Sequence, residues 1–147
     1  EVTNNLFEQN TSAIFIDGST RINYIGNTFR SNGWAIKVSG GCYLNKFTKN
    51  NFVSNSFDVS YNSKVNDNLF LNNYWSDYNG YDIDKDGKGD IPYRPVKLFS
   101  YVVNRTPETI VLLRSLFVDL INFSEKVSPV FTPDDLQDVM PSIRMFP

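Results

Sequence analysis

A repeat with a period of about 22 residues organises the first half of the chain. The pattern Asn-x-Phe, with a further Asn three positions after the Phe, occurs four times, as "NLFEQN", "NTFRSN", "NNFVSN" and "NLFLNN". Their phenylalanines are Phe7, Phe29, Phe52 and Phe70, with two nearly equal intervals followed by a shorter one. A period of this length predicts a solenoid, in which each unit buries its apolar face against its neighbours.

The segments between these motifs indicate strands. "AIFIDGS" at Ala13, "AIKVSGG" at Ala35 and "SFDVSYNS" at Ser56 are short and rich in β-branched and aromatic residues, with apolar residues at alternating positions. We therefore predict an all-β solenoid, a right-handed parallel β-helix of three to four coils over residues 1–75. The four phenylalanines are expected to stack inside and the asparagines at the turns. A leucine-rich horseshoe would need a different leucine spacing and a helical segment.

Composition restricts the classes of function. The chain has 147 residues, is 41% hydrophobic and 20% charged, and carries a net charge of -2, so it offers no electrostatic footprint for nucleic acid. Histidine is absent, which removes the commonest general base and transition-metal ligand. Cys42 is the single cysteine, and we expect it to be a buried small hydrophobe. Because the chain begins just before a repeat, an open strand edge is expected, with self-association through it.

A change in composition marks the end of the repeats. Residues 1–80 contain 16 asparagines and the remainder contains two. We divide the chain into coils at 1–75, an aromatic and Asp-rich loop at 76–95, and a helical cap with an extended tail at 96–147. Tyr74, Trp75 and Tyr78 are expected to plug the end of the solenoid.

The cap region carries the start signals of a helix. Thr106 is a candidate N-cap, Pro107 suits the first helical position and Glu108 the first turn. The apolar positions that follow predict a helix of about 20 residues, whose apolar face is wider than capping requires. Arg114 and Asp119 interrupt it, so it is not a membrane span. We expect part of this face, at Ile110, Val111, Leu113 and Phe117, to dock a partner. "TPDDLQD" predicts a second, short helix.

The sequence "YDIDKDGKGDIPY" has the spacing of a calcium loop. Asp82, Asp84, Asp86, Lys88 through its carbonyl, and Asp90 match positions 1, 3, 5, 7 and 9 of an EF-hand-type loop, with Gly87 at the turn. Tyr93 stands at position 12 in place of a bidentate glutamate, so another oxygen, such as that of Asp77, would have to complete the shell. A solvated acidic turn is the alternative.

Two runs of this sequence resemble the C-terminal part of the NosD family. They are "NNYWSDYNGYDIDKDGKGDIPYRPVKLFS" and "LLRSLFVDLINFSEKVSPVFTPDDLQD". The resemblance implies a periplasmic or exported β-helix, not an enzyme, that works with ABC transporter subunits and with nitrous oxide reductase or a copper chaperone in copper-site assembly. Copper ligands within this chain would be limited to soft side chains, with Met140 and Met145 as the surface candidates.

A carbohydrate-binding β-helix module is the alternative function. Trp34 or Tyr61 would then stack on a sugar ring. Catalysis would need a pair of carboxyl groups, and Asp17 and Asp58, which follow the same type of strand, are a marginal pair for this chemistry.

Overall fold

The computed structural model describes residues 1–62, 65–127 and 135–147, and it is a parallel β-helix with a helical layer on its last coil. Three parallel sheets form the solenoid, which confirms the predicted fold class. The first sheet contains β1 (Val2–Thr3), β4 (Asn23–Ile25), β7 (Tyr43–Thr48) and β10 (Asp67–Leu71). The second contains β2 (Leu6–Glu8), β5 (Thr28–Arg30), β8 (Asn51–Val53) and β11 (Tyr74–Trp75). The third contains β3 (Ser12–Ile16), β6 (Trp34–Val38) and β9 (Phe57–Tyr61).

Two columns of stacked aromatic rings fill the solenoid. Phe7, Phe29 and Phe52 stack at centroid distances of 5.1 and 4.9 Å, and Trp75 continues this column at 4.1 Å. The second column is Tyr24, Phe47 and Phe70, with both centroid distances 4.5 Å. Offset stacking of this kind adds stability beyond the burial of area.

The assignment of Phe70 to the first column is wrong. The backbone register pairs Phe70 with Phe47, and it pairs Trp75 with Phe52. The sequence contains an indication of this difference. Phe7, Phe29 and Phe52, which do share a column, are almost evenly spaced along the chain, whereas the interval from Phe52 to Phe70 is shorter. The alignment assumed for the third sheet is also wrong. Ile36 pairs with Val59, so Ala35 lies opposite Asp58 and not opposite Ser56.

Ladders of asparagine amides run along the turns. In the longest ladder, Oδ1 of each asparagine accepts the backbone N–H and the side-chain N–H of the asparagine one coil earlier, at 2.9 to 3.0 Å. Its members are Asn5, Asn27, Asn50 and Asn73. The second ladder consists of Asn10, Asn32 and Asn55, and a shorter one of Asn45 and Asn68. These contacts confirm the predicted stacking at the turns and satisfy buried polar groups.

Each of the two longer ladders ends on an aspartate. The carboxylate of Asp138 accepts N–H groups from Asn72, Asn73 and Trp75, at 2.8 to 3.1 Å, and from Met140 at 3.3 Å. Asn55 donates its side-chain N–H to Asp58 at 3.1 Å. Both aspartates are buried. Asp138 therefore takes the place of the next asparagine in its ladder, since it accepts both the backbone and the side-chain N–H of Asn73, whereas Asp58 accepts only the side-chain N–H of Asn55 from within the same coil.

The helical layer differs from the single long helix that we predicted. It consists of α1 (Leu98–Arg105), a 3₁₀ helix (Pro107–Leu112) and α2 (Leu116–Val127). Thr106 makes no side-chain cap bond, and a turn over residues 113–115 separates the last two elements. The 3₁₀ helix has no buried residue to anchor a regular α-helix, and helical stability in proteins comes mostly from such packing. Within the described part of the chain, no helix is both long and apolar enough to span a bilayer.

The final residues cross the end of the solenoid and then run along its side. Asp138 pairs with Tyr93 through two backbone hydrogen bonds, and Ser142 donates to the carbonyl of Asn73. Farther along, the side-chain amide of Asn51 contacts both the N–H and the carbonyl of Phe146. The short helix predicted for "TPDDLQD" lies partly outside the described residues, and its described part, 135–138, is not helical.

Replacing Phe29 by alanine should lower the free energy of unfolding by about 3 to 5 kcal/mol, because a buried ring is lost from the middle of a column. Chemical denaturation measures this. Phe15→Ala is the matched control, since Phe15 is 65% exposed, and it should change stability by less than about 1 kcal/mol. Similar effects for the two variants would contradict the column.

Replacing Asp138 by alanine should destabilise the protein by about 3 kcal/mol or more, because buried N–H groups lose their charged acceptor. Asp138→Asn should have a smaller effect, since an amide keeps one oxygen. Thermal unfolding at matched pH compares them. Asp67→Ala, at an exposed position of β10, is the control, and equal losses for Asp67→Ala and Asp138→Ala would refute the capping role.

Candidate metal loop and docking face

The Asp-rich loop brings three of its predicted ligands together. The carboxylate oxygens of Asp82, Asp84 and Asp86 lie within 4.8 Å of one another. Calcium binds oxygen at 2.3 to 2.6 Å, so two ligands on opposite sides of one ion are separated by roughly 5 Å. The spacing of these three oxygens is therefore compatible with one calcium ion.

Backbone N–H groups hold the carboxylates in place. Asp82 accepts from Asp86 at 3.1 Å and from Gly87 at 3.0 Å, while Asp84 accepts from Asp86 at 3.2 Å. An ionised carboxylate has about four acceptor positions, so these bonds leave capacity for a cation. Gly87 has φ of +87°, a backbone conformation that glycine adopts without steric cost.

The other predicted ligands are placed differently. Asp90 Oδ2 accepts the N–H of Ile83 at 2.7 Å, so it closes the base of the loop and does not join the cluster of three. The side chain of Lys88 lies beside the cluster, with its Nζ 3.6 Å from Asp86 Oδ2. Both side chains of this pair are exposed, so the contact is weak. Asp77 is ion-paired to Lys97 at 2.8 Å, and Tyr93 is buried beside Trp75.

The loop adjoins the final residues of the described chain. Gly89 donates to the carbonyl of Pro141 at 2.7 Å, and Ile143 donates to that of Gly87 at 3.2 Å. A cavity of about 560 Å³ lies between the two segments, lined by Asp82, Asp86, Ile143 and Arg144 among others. The sequence pattern did not reveal Arg144 here, because it is distant from the loop along the chain.

The helical layer presents an apolar face to solvent. On α2, the exposed apolar side chains are Leu116, Phe117, Leu120, Phe123 and Val127, each 63 to 79% exposed. On the 3₁₀ helix, Val111 is 84% exposed and Ile110 is 38% exposed. Of the four residues predicted to dock a partner, three are on this surface. The fourth, Leu113, packs partly buried against the small core of the layer.

The opposite side of α2 is partly polar. Val118 is buried there, and so is Glu125, while Asn122 Oδ1 accepts the N–H of Phe99 at 3.0 Å and so caps the first turn of α1. An amphipathic helix of a monomeric protein normally buries its apolar face. A contiguous apolar surface left in water marks an interaction site.

The residues considered for sugar binding and catalysis differ in their exposure to solvent. Tyr61 is buried in the core of the solenoid. Trp34 stacks on Phe57 at 5.3 Å, and the Nζ of Lys37 lies 3.9 Å from its ring centroid. Asp17 follows β3, whereas Asp58 lies within β9 and is buried. The two carboxyl groups thus do not occupy equivalent positions, which argues against their use as a catalytic pair.

The soft side chains lie in two parts of the described structure. Cys42 is buried in the solenoid core, as predicted. Met140 and Met145 are exposed on the final segment, on either side of the contact between Ser142 and Asn73. Thioethers are soft ligands that suit Cu(I), so copper contact at these two residues stays a prediction.

Comparison with known proteins agrees with the resemblance to the NosD family. A family described as "Periplasmic copper-binding protein (NosD)" matches residues 1–83, more than half of the chain. A relative from Pseudomonas aeruginosa, called "Probable ABC transporter binding protein NosD", is 30% identical over 136 residues, 90% of this chain. A relative of the same name from Stutzerimonas stutzeri is 28% identical over the same share.

The chain spans about a third of the length of these relatives, 32% and 31% respectively. The match covers the coils and the start of the Asp-rich loop, where the aromatic columns and the asparagine ladders lie. The chain therefore belongs to the NosD family of periplasmic copper-binding proteins.

Proposed function

We propose that this chain is part of an exported, non-enzymatic NosD-type accessory protein that assists copper-site assembly of nitrous oxide reductase together with an ABC transporter. The observation that carries the proposal is the polarity of α2, whose apolar residues face solvent while Glu125 is buried. The name that both relatives share, "Probable ABC transporter binding protein NosD", supports a transporter subunit as the partner.

In this proposal the solenoid is a rigid body and the helical layer is the docking element. Val111, Phe117 and the exposed residues of α2 supply apolar contact area, and the aromatic rings among them are the side chains that dominate interface energetics. The described residues that border this face include Arg114 and Asp119, so the face is not strongly basic. Interfacial membrane helices carry Lys and Arg on a polar face, which favours a protein partner over a lipid surface.

In this proposal copper is the cargo of the machinery. Met140 and Met145 are exposed thioethers of the kind that can contact Cu(I), whereas the thiol of Cys42 is buried. The chain contributes to the proposed assembly by position, because its helical layer docks on a partner.

We also propose that Asp82, Asp84 and Asp86 hold one structural calcium ion, with the carbonyl of Lys88 as a further ligand. Lys88 N donates to Asp86 Oδ1 at 2.8 Å, which bends the chain around the cluster. The ion would neutralise three carboxylates that otherwise repel one another. Because the loop contacts residues 141–143, this neutralisation would stabilise the junction between the solenoid and the final segment.

Substitution of Val111 by aspartate in the full-length protein should abolish copper loading of the reductase, because a charge at an 84% exposed apolar position prevents apolar docking without entering the fold. Copper content of the purified reductase and co-purification of the transporter subunits measure this. Phe15→Asp, at an exposed phenylalanine of the solenoid, is the control and should leave both unchanged. Normal loading in Val111→Asp would rule out docking through this face.

Removal of calcium should lower the melting temperature by several degrees, since an ion present at about 100 times its Kd stabilises the native state by about 2.7 kcal/mol. Titration calorimetry should show one site in the wild type and none in Asp84→Ala. Asp67→Ala, outside the loop, should bind as the wild type does. No calorimetric binding to the wild type, with unchanged melting on chelation, would mean that the loop is a solvated acidic turn.

A further inference from the structure

Asp58 is a buried carboxyl group beneath the helical layer. Contacts between β9 and the layer lie on both sides of it: Phe57 meets Phe99 at a centroid distance of 6.4 Å, and Asn104 donates to Ser60 Oγ at 2.8 Å. Val59, the next residue, forms a parallel bridge with Val96. The chain from 96 to 104 therefore contacts β9 on both sides of Asp58, which is 2% exposed.

Burial raises the pKa of Asp58 to about 7, although Lys97 and the hydrogen bond from Asn55 act in the opposite direction. Lys97 is already engaged at 2.8 Å by Asp77, which itself adds to the rise of this pKa. A cleft of about 440 Å³ adjoins this region, and the charged or titratable groups that line it are Asp77, Tyr93, Arg94, Lys97, Asp119 and Glu125.

Few buried apolar residues among the described side chains join the helical layer to the solenoid. The buried core of this contact consists of Phe99, Val103 and Val118 of the layer, joined by Phe57 of the solenoid, with Trp34 partly buried against it. Among the described residues, the buried Nε1 of Trp34 has no hydrogen-bond partner, and it lies near a groove formed with Val103, Asn104, Pro107 and Ile110. An unsatisfied buried donor opposes closure of the layer. Elements with few buried apolar contacts are those that open at low free energy.

We propose that the helical layer, residues 98–127, is a proton-linked lid on the last complete coil, held closed while Asp58 is protonated and released when Asp58 ionises. The closed layer excludes water from the carboxyl group, whereas opening would hydrate it. Any state that hydrates the group lowers its pKa, so loss of the proton favours the open state. The helical layer, which is the proposed docking element, would therefore be closed or open on the solenoid depending on pH, and this holds for any partner that binds it.

The sign of the effect follows from the raised pKa. A carboxyl group that is harder to ionise in the closed state stabilises closure fully below its ordinary pKa near 4, and this contribution is lost as the pH rises towards 7. For a hydrated pKa of about 4 and a closed pKa of about 7, the opening equilibrium increases about tenfold between pH 6 and pH 8.

Hydrogen exchange with mass spectrometry tests the lid. After correction for the chemical exchange rate, backbone amides of α1 and α2 should lose about tenfold in protection between about pH 6 and pH 8, while those of β5 and β8 should not. Asp58→Asn keeps the size and an acceptor oxygen for Asn55 but cannot ionise, so its protection should not change over this range.

Asp119→Asn is the matched control, because Asp119 lines the same cleft from α2, and it should retain the tenfold change. Equal protection of the layer at the two pH values would overturn the proposal. This outcome is measured on the wild type alone, so it does not depend on whether a variant folds. A tenfold change that persisted in Asp58→Asn would also overturn it. An equal loss of protection in β5 and β8 would mean that the whole fold responds, which would refute a lid.

Discussion

The hydrogen bonds from one coil to the next at the asparagine turns hold the register of this structure. Each amide oxygen receives two N–H groups from the coil before it, for example Asn50 Oδ1 from Asn27 at 2.9 and 3.0 Å. A shift of one residue would break these bonds and turn the aromatic columns outward, because side chains alternate along a strand. Ladders and columns therefore support the same alignment of coils.

The last asparagine of a ladder has N–H groups with no asparagine in a following coil to accept them. In this protein, aspartate side chains accept these N–H groups. Asp138 has two oxygens and can accept more N–H groups than one more asparagine could, including the indole N–H of Trp75. Asp58 receives a single such bond, from Asn55, and burial together with the nearby Asp77 raises its pKa. The two ladder ends are thus chemically unlike: one stabilises the fold, and the other introduces a titratable group under the helical layer.

The helical layer has polar residues on the side that faces the solenoid and apolar residues on the side that faces solvent, the reverse of what is expected for an isolated chain. Its buried side includes Asn122 and Glu125, and its exposed side carries leucine and phenylalanine. The polar residues on the inner side can contact the charged groups that line the cleft. The apolar residues on the outer side are those expected of a surface that another protein covers. Docking and lid opening would use the two opposite sides of one element, so a partner could influence both.

The sequence by itself determined the solenoid, its period and the alternation within its strands, because these follow from residue types that recur locally once in every coil. It also located the Asp-rich loop, where spacing alone brings Asp82, Asp84 and Asp86 together. Tertiary structure decided the column to which Phe70 belongs, the break between the 3₁₀ helix and α2, and the distant pairing of Asn73 with Asp138. The break in the helical layer and the pairing of Asn73 with Asp138 depend on contacts that form only once the coils have stacked. For Phe70, the shorter interval in the sequence marked an irregularity, but only the register between coils showed its column.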